Sequence, residues 1–246
     1  MVGSSNSIAC ANIMLNAAVA DTLGKFADRL EGAADFDSAL HALLLESLKT
    51  HKRILFNGNG YDDAWIREAV EERGLHNLRT TPDAMKALLE KKSMQMLIRQ
   101  KVYTETELRS RYEIMLENYC KTIEIEARTM SEMVSKEILP AVEKYTASIA
   151  DTAEKKLRLV PGLGCSYEKH LVQKLSALTD GIEKGGLALD ETLAALSTVT
   201  ETTQLAEEIR DQLLPNMAEL RAVADEAEVL TAKEFWPFPT YGEILF

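Results

Sequence analysis

The chain has 246 residues, 46% of them hydrophobic, and a formal charge of −11 from 28 Lys and Arg against 39 Asp and Glu. Such a charge is repelled on average by phosphate backbones and anionic membrane surfaces, so nucleic acid and membrane are set aside as partners. Cys10, Cys120 and Cys165 lie far apart without paired spacing, which fits a reducing compartment and three buried or semi-exposed thiols better than a disulfide framework. No leader-like pattern opens the chain, and no apolar run reaches the roughly 18 residues of a membrane span. The expected location is the cytoplasm.

In chain order, Gly3-Ser4-Ser5-Asn6-Ser7 is small and polar, and Ile8, Ile13, Leu15, Val19, Leu23, Phe26 and Leu30 then step along one face of an expected buried helix. So permissive a segment directly before a buried turn makes an abrupt beginning for a domain. Asp35 or Asp37 caps a second helix, with Leu40, Leu43, Leu44 and Leu48 facing inward. Asn57-Gly58-Asn59-Gly60 reads as a tight turn with positive φ at its glycines; it lacks the lysine of a P-loop and the strand-then-helix setting of a dinucleotide site. Asp62 or Asp63 caps a short helix that Gly74 closes, and Thr81 caps another with Pro82 at its first position.

Thr104 to about Leu159 reads as one very long helix. Thr104-Glu105-Thr106-Glu107 is a capping box, in which the hydroxyl of Thr104 accepts from the Glu107 amide and the Glu107 carboxylate reaches back to the Thr104 amide. Leu108, Tyr112, Met115, Tyr119, Ile123, Met130, Met133, Ile138, Val142, Tyr145, Ile149, Ala153 and Leu157 form its apolar stripe. Pro140 is expected to kink this helix without ending it, because the periodicity resumes at once. Pro161-Gly162-Leu163-Gly164 reverses the chain. A return helix is expected from Tyr167 to about Ile182, broken by Gly181 and Gly185-Gly186, and a third long element from Asp190, kinked at Pro215. The tail from Phe235 to Phe246, with Trp236-Pro237-Phe238-Pro239, is too aromatic for a solvated end and should lie extended in a groove of its own bundle or of a neighbouring subunit.

The fold class expected is therefore all-α: a long antiparallel helical hairpin or bundle with Pro-kinked helices, preceded by shorter helices and followed by the aromatic tail. Its segments divide as a helical part over 1–56, a short-helix connector over 57–103, the long-helix bundle over 104–234 and the docking tail over 235–246. Chemistry is harder to find. His41, His51, His76 and His170 have no metal spacing. Ser4, Ser5 and Ser7 lack a nucleophile signature. The pairs Glu71–Glu72, Glu124–Glu126 and Glu207–Glu208 read as solvated helix faces, and the nine methionines as core filling. No catalytic, cofactor-binding or metal-binding residue is assigned.

Several motifs, matched in order, carry a resemblance. Gly3-Ser4-Ser5, Leu15-Asn16, Val19-Ala20-Asp21, His51-Lys52-Arg53-Ile54-Leu55-Phe56-Asn57-Gly58-Asn59-Gly60-Tyr61, Asn77-Leu78-Arg79-Thr80-Thr81-Pro82-Asp83-Ala84, Ser110-Arg111-Tyr112-Glu113, Leu116-Glu117-Asn118-Tyr119-Cys120-Lys121-Thr122-Ile123, Ile138-Leu139-Pro140-Ala141 and the run from Trp236 to Phe246 resemble the C-terminal third of a type III glutamine synthetase. In place of the Gly-Pro pair expected before the first helix, the chain has Cys10-Ala11-Asn12. The resemblance implies a parent ligase that amidates glutamate with ammonia and ATP through a γ-glutamyl phosphate, with divalent metals such as magnesium, in a ring-built oligomer. It also implies that the catalytic segments lie upstream, the last active-site arginine just before the Gly-Ser-Ser stretch, so that Met1 is an artificial or misassigned beginning. This chain is then the inactive helical C-terminal module, serving subunit packing or regulation, with the rest of the synthetase and other subunits as partners and glutamine as an effector. The alternative is a stand-alone acidic helical scaffold or partner-binding module diverged from the synthetase, and a third reading is small-molecule sensing at the Asn57–Tyr61 turn or between the helices.

Overall fold

The computed structural model describes residues 7–239 and 241–244, and of Tyr241 and Gly242 the backbone alone. The Gly-Ser-Ser start and the last two residues of the tail lie outside that range. Among the described residues there are helices and no strand. The chain divides into two compact units, up to Met115 and from Leu116.

The first unit opens with α1 (Ala9–Leu30) and α2 (Phe36–His51). Asp35 caps α2 by accepting from the Ser38 amide at 3.1 Å. Helix α3 (Asp63–Arg67), capped by Asp62 through the Ala64 amide, passes into a π turn over Glu68–Glu72. Gly74 then reverses the chain at φ 61°, and the Leu75 amide closes on the Ala69 carbonyl at 2.8 Å. Helices α4 (Thr81–Leu88) and α5 (Lys91–Arg99) follow. Thr80, one residue earlier than expected, is the cap residue of α4, and its hydroxyl donates to Asp83 at 2.6 Å. The core of this unit is Ala17, Leu97 and Leu108, with Met14, Leu88, Met94, Met96, Val102 and Tyr103 packed around them. Lys101 ends α5 in the left-handed region at φ 54°, held by the bond from the Val102 amide to the Leu97 carbonyl. Glycine is the usual residue for that role.

Helix α6 (Glu105–Met133), a π turn at Val134–Ile138 and α7 (Leu139–Leu159) follow without a break, 55 residues in all. The capping box forms as expected: the Thr104 amide donates to Glu107 at 2.7 Å, and the Glu107 amide to the Thr104 hydroxyl at 3.3 Å. The backbone is helical on both sides of Pro140: Leu139 before it has φ −55°, ψ −50°, and α7 runs on beyond it to Leu159. In the second unit α8 (Ser166–Leu196) packs against α7 and also against α10 (Leu214–Leu230), which follows α9 (Thr202–Glu208) and a second π turn at Ile209–Leu213. Buried Leu175, Ile182, Leu189, Ile209, Leu213, Leu220 and Val142 fill the space between them. Polar ties join α8 to its neighbours, from Ser131 of α6 to Asp190 at 2.7 Å, and from α10 by Asn216 to Thr192 at 2.7 Å and Glu226 to Lys174 at 2.5 Å.

Three expectations fail here for identifiable reasons. Gly181, Gly185 and Gly186 do not break α8, which runs through them to Leu196; the third long element consequently starts at Thr202, not Asp190. A Cβ on Gly185 would stand 3.0 Å from Leu220 Cδ1, and one on Gly181 3.1 Å from Val223 Cγ1. These glycines allow close approach between helices, and packing outweighs their low helix propensity. Helix α1 is not buried: only Ala17 and Asp21 are, while Ile8, Leu15, Val19 and Leu23 are exposed by 57–65%. The stripe of α6 begins as expected at buried Leu108 and Tyr112 but then falls on Leu116, Cys120 and Ala127, with Met115, Tyr119, Ile123 and Met130 half-buried beside it.

Candidate functional site

The residues weighed for chemistry do not converge. All four histidines are exposed, and among the described residues no three His, Cys, Asp or Glu side chains stand close enough together to hold a metal ion. Ser4 and Ser5 lie outside the described range, and the Ser7 hydroxyl accepts from the Ala9 amide at 3.2 Å. Glu71, Glu72 and Glu126 are exposed, whereas Glu124, Glu207 and Glu208 are half-buried; Gln204 donates to Glu208 at 2.8 Å. Cys10 is exposed, against expectation, while Cys120 and Cys165 are buried and free. Burial, with Glu124 nearby, pushes the Cys120 thiol up to about 11, the direction of an inert structural thiol.

The Asn57–Tyr61 turn is built differently from the expected pattern. Positive φ is found at Gly32, Gly74 and Gly162, not at Gly58 or Gly60. Asn59 makes the turn instead: its side-chain oxygen accepts from the Tyr61 amide at 3.1 Å and its carbonyl from the Asp62 amide at 3.3 Å. Gly58 is required for space, since a Cβ there would lie 2.7 Å from Phe56 Cζ. The Phe56 ring stacks on Trp65 at 3.7 Å and 13°, and the Arg73 guanidinium stands 4.8 Å over the Trp65 ring. Arg73 also donates to the carbonyls of Arg53 at 3.1 Å and Leu55 at 2.7 Å and to Glu68 at 2.5 Å. The neighbourhood of the turn is thus occupied by its own side chains.

Asp21 is the buried carboxylate of the first unit, 5% exposed. It accepts from Lys25 at 2.7 Å, from Arg99 Nε at 2.8 Å and from Gln100 at 3.1 Å. The Lys25 and Arg99 hydrogen bonds hold it far below the usual carboxylate range. With three partners it ties α1 to the C-terminal end of α5 and has no proton to exchange near neutrality. Glu168, also 5% exposed, plays the same part for α8 with Lys156 of α7. Neither was singled out from sequence, where each is one acid among 39.

In the second unit the tail returns along its own helices. Phe235 meets Tyr145 with ring centroids 5.2 Å apart, and Trp236 meets Phe238 edge-on at 6.1 Å and 77°. A last helical turn, α11 (Tyr241–Ile244), follows Pro239, and Glu243 pairs with Lys233 at 2.8 Å. Trp236 and Phe238 form one wall of a cleft of about 560 Å³, whose other walls are Met130 and Met133 at the end of α6, Val134 of the π turn after it, and Met217, Leu220 and Ala224 of α10. Glu126, Asp225, Glu228 and Arg221 stand at its edge.

Among the described residues the chain is all-helical, with long helices packed closely at glycines and an aromatic tail segment laid against them. Comparison with known proteins gives the family. Residues 39–157 match the model of the glutamine synthetase C-terminal domain. A glutamine synthetase of Butyrivibrio fibrisolvens is 38% identical over 204 residues, 83% of this chain and 29% of that protein. The type-3 glutamine synthetase of Dictyostelium discoideum is 29% identical over 255 residues, 100% of this chain and 34% of that protein, and a glutamine synthetase of Bacteroides fragilis (strain YCH46) 27% identical over 256 residues, 99% and 34%. The chain fits the C-terminal part of a type III glutamine synthetase. It spans about a third of the length of those relatives, between 29% and 34%.

Proposed function

We propose that this chain is the helical C-terminal module of a type III glutamine synthetase and that it serves subunit packing or regulation, the chemistry being carried by other parts of the enzyme. The parent reaction is the ATP-dependent amidation of glutamate by ammonia, with ATP and magnesium held by residues outside this module, in a cytoplasmic homo-oligomer. The observation that carries the packing role is the apolar stripe of α1. Ile8, Leu15, Val19 and Leu23 lie seven, four and four residues apart on one helical face and are each more than half exposed. On α2, Leu44 and Leu48 are likewise 46% and 60% exposed. Contiguous apolar surface of this kind marks an interaction site, here for the remainder of the synthetase or a neighbouring subunit.

The test is a coupled assay of phosphate release and glutamine formation with glutamate, ammonia, ATP and magnesium, run on this chain beside a full-length synthetase that contains it. Activity is expected only in the full-length protein. Leu15→Asp with Leu23→Asp in that protein should lower its oligomeric mass by light scattering or its activity. Activity in the 246-residue chain, or an unchanged assembly and rate in the double variant, would overturn the assignment.

A further inference from the structure

The cleft beside the tail has a composition that the packing role does not require. Its apolar lining includes Met130, Met133 and Met217, half-buried, flexible, polarisable side chains that adapt to apolar ligands, and another wall supplies the aromatic ring of Trp236. Its volume, about 560 Å³, falls in the range of roughly 300–1,000 Å³ occupied by small-molecule sites. The charge at the rim is one-sided. Glu126, Asp225 and Glu228 face one cation, Arg221, which is already spent on Asp225 at 3.3 Å. Glu126 and Glu228 have no ion-pair partner among the described residues. An anion or a zwitterion entering here would leave its carboxylate against these glutamates; a cation would be drawn to them and to the Trp236 ring.

From this half-buried apolar lining and the exposed acids beside it we propose a binding site for a small organic cation, an amine or guanidinium carried on an aromatic or aliphatic body, with the body on the methionines and Trp236 and the charge between Glu126 and Glu228. The site lies within the second unit and does not depend on the synthetase assignment.

The test uses a matched series, 4-phenylbutylamine, 4-phenyl-1-butanol and 4-phenylbutyrate, on the whole chain. The chain has two tryptophans, so a Trp65→Phe background makes emission report Trp236 alone, and calorimetry gives an independent reading. The amine should change Trp236 emission saturably and bind about tenfold tighter than the alcohol, as a difference of about 1.4 kcal/mol implies. The carboxylate should bind weakest. Glu126→Gln with Glu228→Gln should remove the preference for the amine while leaving binding of the alcohol, whereas Glu191→Gln, an exposed control on α8, should change neither. Equal binding of amine and alcohol, a preference for the carboxylate, or no change in emission and no heat up to millimolar amine would each overturn the proposal.

Discussion

Alanine at Gly185 sets two known effects against each other. Replacing a glycine inside a helix by alanine gains about 0.8–1.0 kcal/mol of intrinsic propensity. At Gly24 in α1 a Cβ would meet nothing within 4 Å, so the full gain is expected there. At Gly185 the added carbon would lie 3.0 Å from Leu220 Cδ1, 3.4 Å from its Cβ and 3.5 Å from its Cα. The terminal methyl could swing aside, but Leu220 is only 1% exposed and has little room, and the other two atoms move only if α10 itself shifts. Overpacking of a filled core costs about 1–3 kcal/mol, so after the propensity gain Gly185→Ala should lose about 0–2 kcal/mol. Urea unfolding would be followed at Trp236 in a Trp65→Phe background for Gly185, and at Trp65 in a Trp236→Phe background for Gly24. Leu220→Ala provides the cycle partner: with Leu220 truncated, Gly185→Ala should become stabilising. If Gly185→Ala stabilises the native protein as much as Gly24→Ala does, the glycines of α8 are not there for close approach, and the account of that helix is wrong.

Other expectations concern single residues. Thr104→Ala removes the hydroxyl that accepts the Glu107 amide and should lower unfolding free energy by about 1 kcal/mol, measured by urea titration at Trp65; an unchanged midpoint would mean that the box contributes nothing to α6. Lys25 and Arg99 depress the Asp21 carboxyl, so its contribution to stability is present above the unfolded value of about 3.9 and is lost as pH falls from there toward the lower folded value. The stability gap between the native chain and Asp21→Asn should therefore be constant at neutral pH and close below about pH 4, and a gap that widens in acid would contradict this sign. A thiol reagent at pH 8 should titrate Cys10 rapidly and reach Cys120 and Cys165 only after denaturation, given the exposure of the first and the burial of the others; fast reaction of all three would refute the packing around Cys120. Phe235→Ala removes the ring contact with Tyr145 and, for a half-buried ring, should cost about 1–2 kcal/mol, less than the roughly 3–5 of a full core truncation; an unshifted melting temperature would show that the tail is not docked.

What could be read in the sequence was what is settled within one turn of chain. The caps at Asp35, Asp62 and Thr104 bond amides two or three residues away, so the pattern contains the whole interaction. Gly58 and Gly185 show the opposite case. A glycine reads locally as backbone freedom or a break, yet here its value lies in the Phe56 ring or the Leu220 side chain beside it, and for Gly185 that neighbour is remote in sequence. Beyond Tyr112 the core stripe of α6 was misplaced for a related reason: Met115, Tyr119 and Ile123 look more apolar than Cys120 and Ala127, but the small side chains are the ones enclosed there. Lys101 was invisible as a helix end because no glycine marks it. The cleft escaped because Glu126 and Glu228 have no local spacing to share, and only the return of the tail places Trp236 near both.

The prolines lie between these cases. Ile138-Leu139-Pro140 and Leu213-Leu214-Pro215 announce a missing amide and a ring that collides with the carbonyl four residues back. The answer to both is a π turn ending two residues before the proline, in which the Leu139 amide bonds to the Val134 carbonyl and the Leu214 amide to that of Ile209, five residues back. The register has already slipped by one when the ring arrives, so the clash is relieved without ending the helix. The extra residue also leaves both ends of each turn facing inward: Val134 and Ile138 are buried, as are Ile209 and Leu213. A Cβ built on Gly186 would lie 3.4 Å from Val134 Cγ1, which puts that turn against the glycine segment of α8. Proline supplies a local reason for a widened turn. The buried contacts it must satisfy come from the helices packed around it, and those decide that the chain continues as helix rather than bending away.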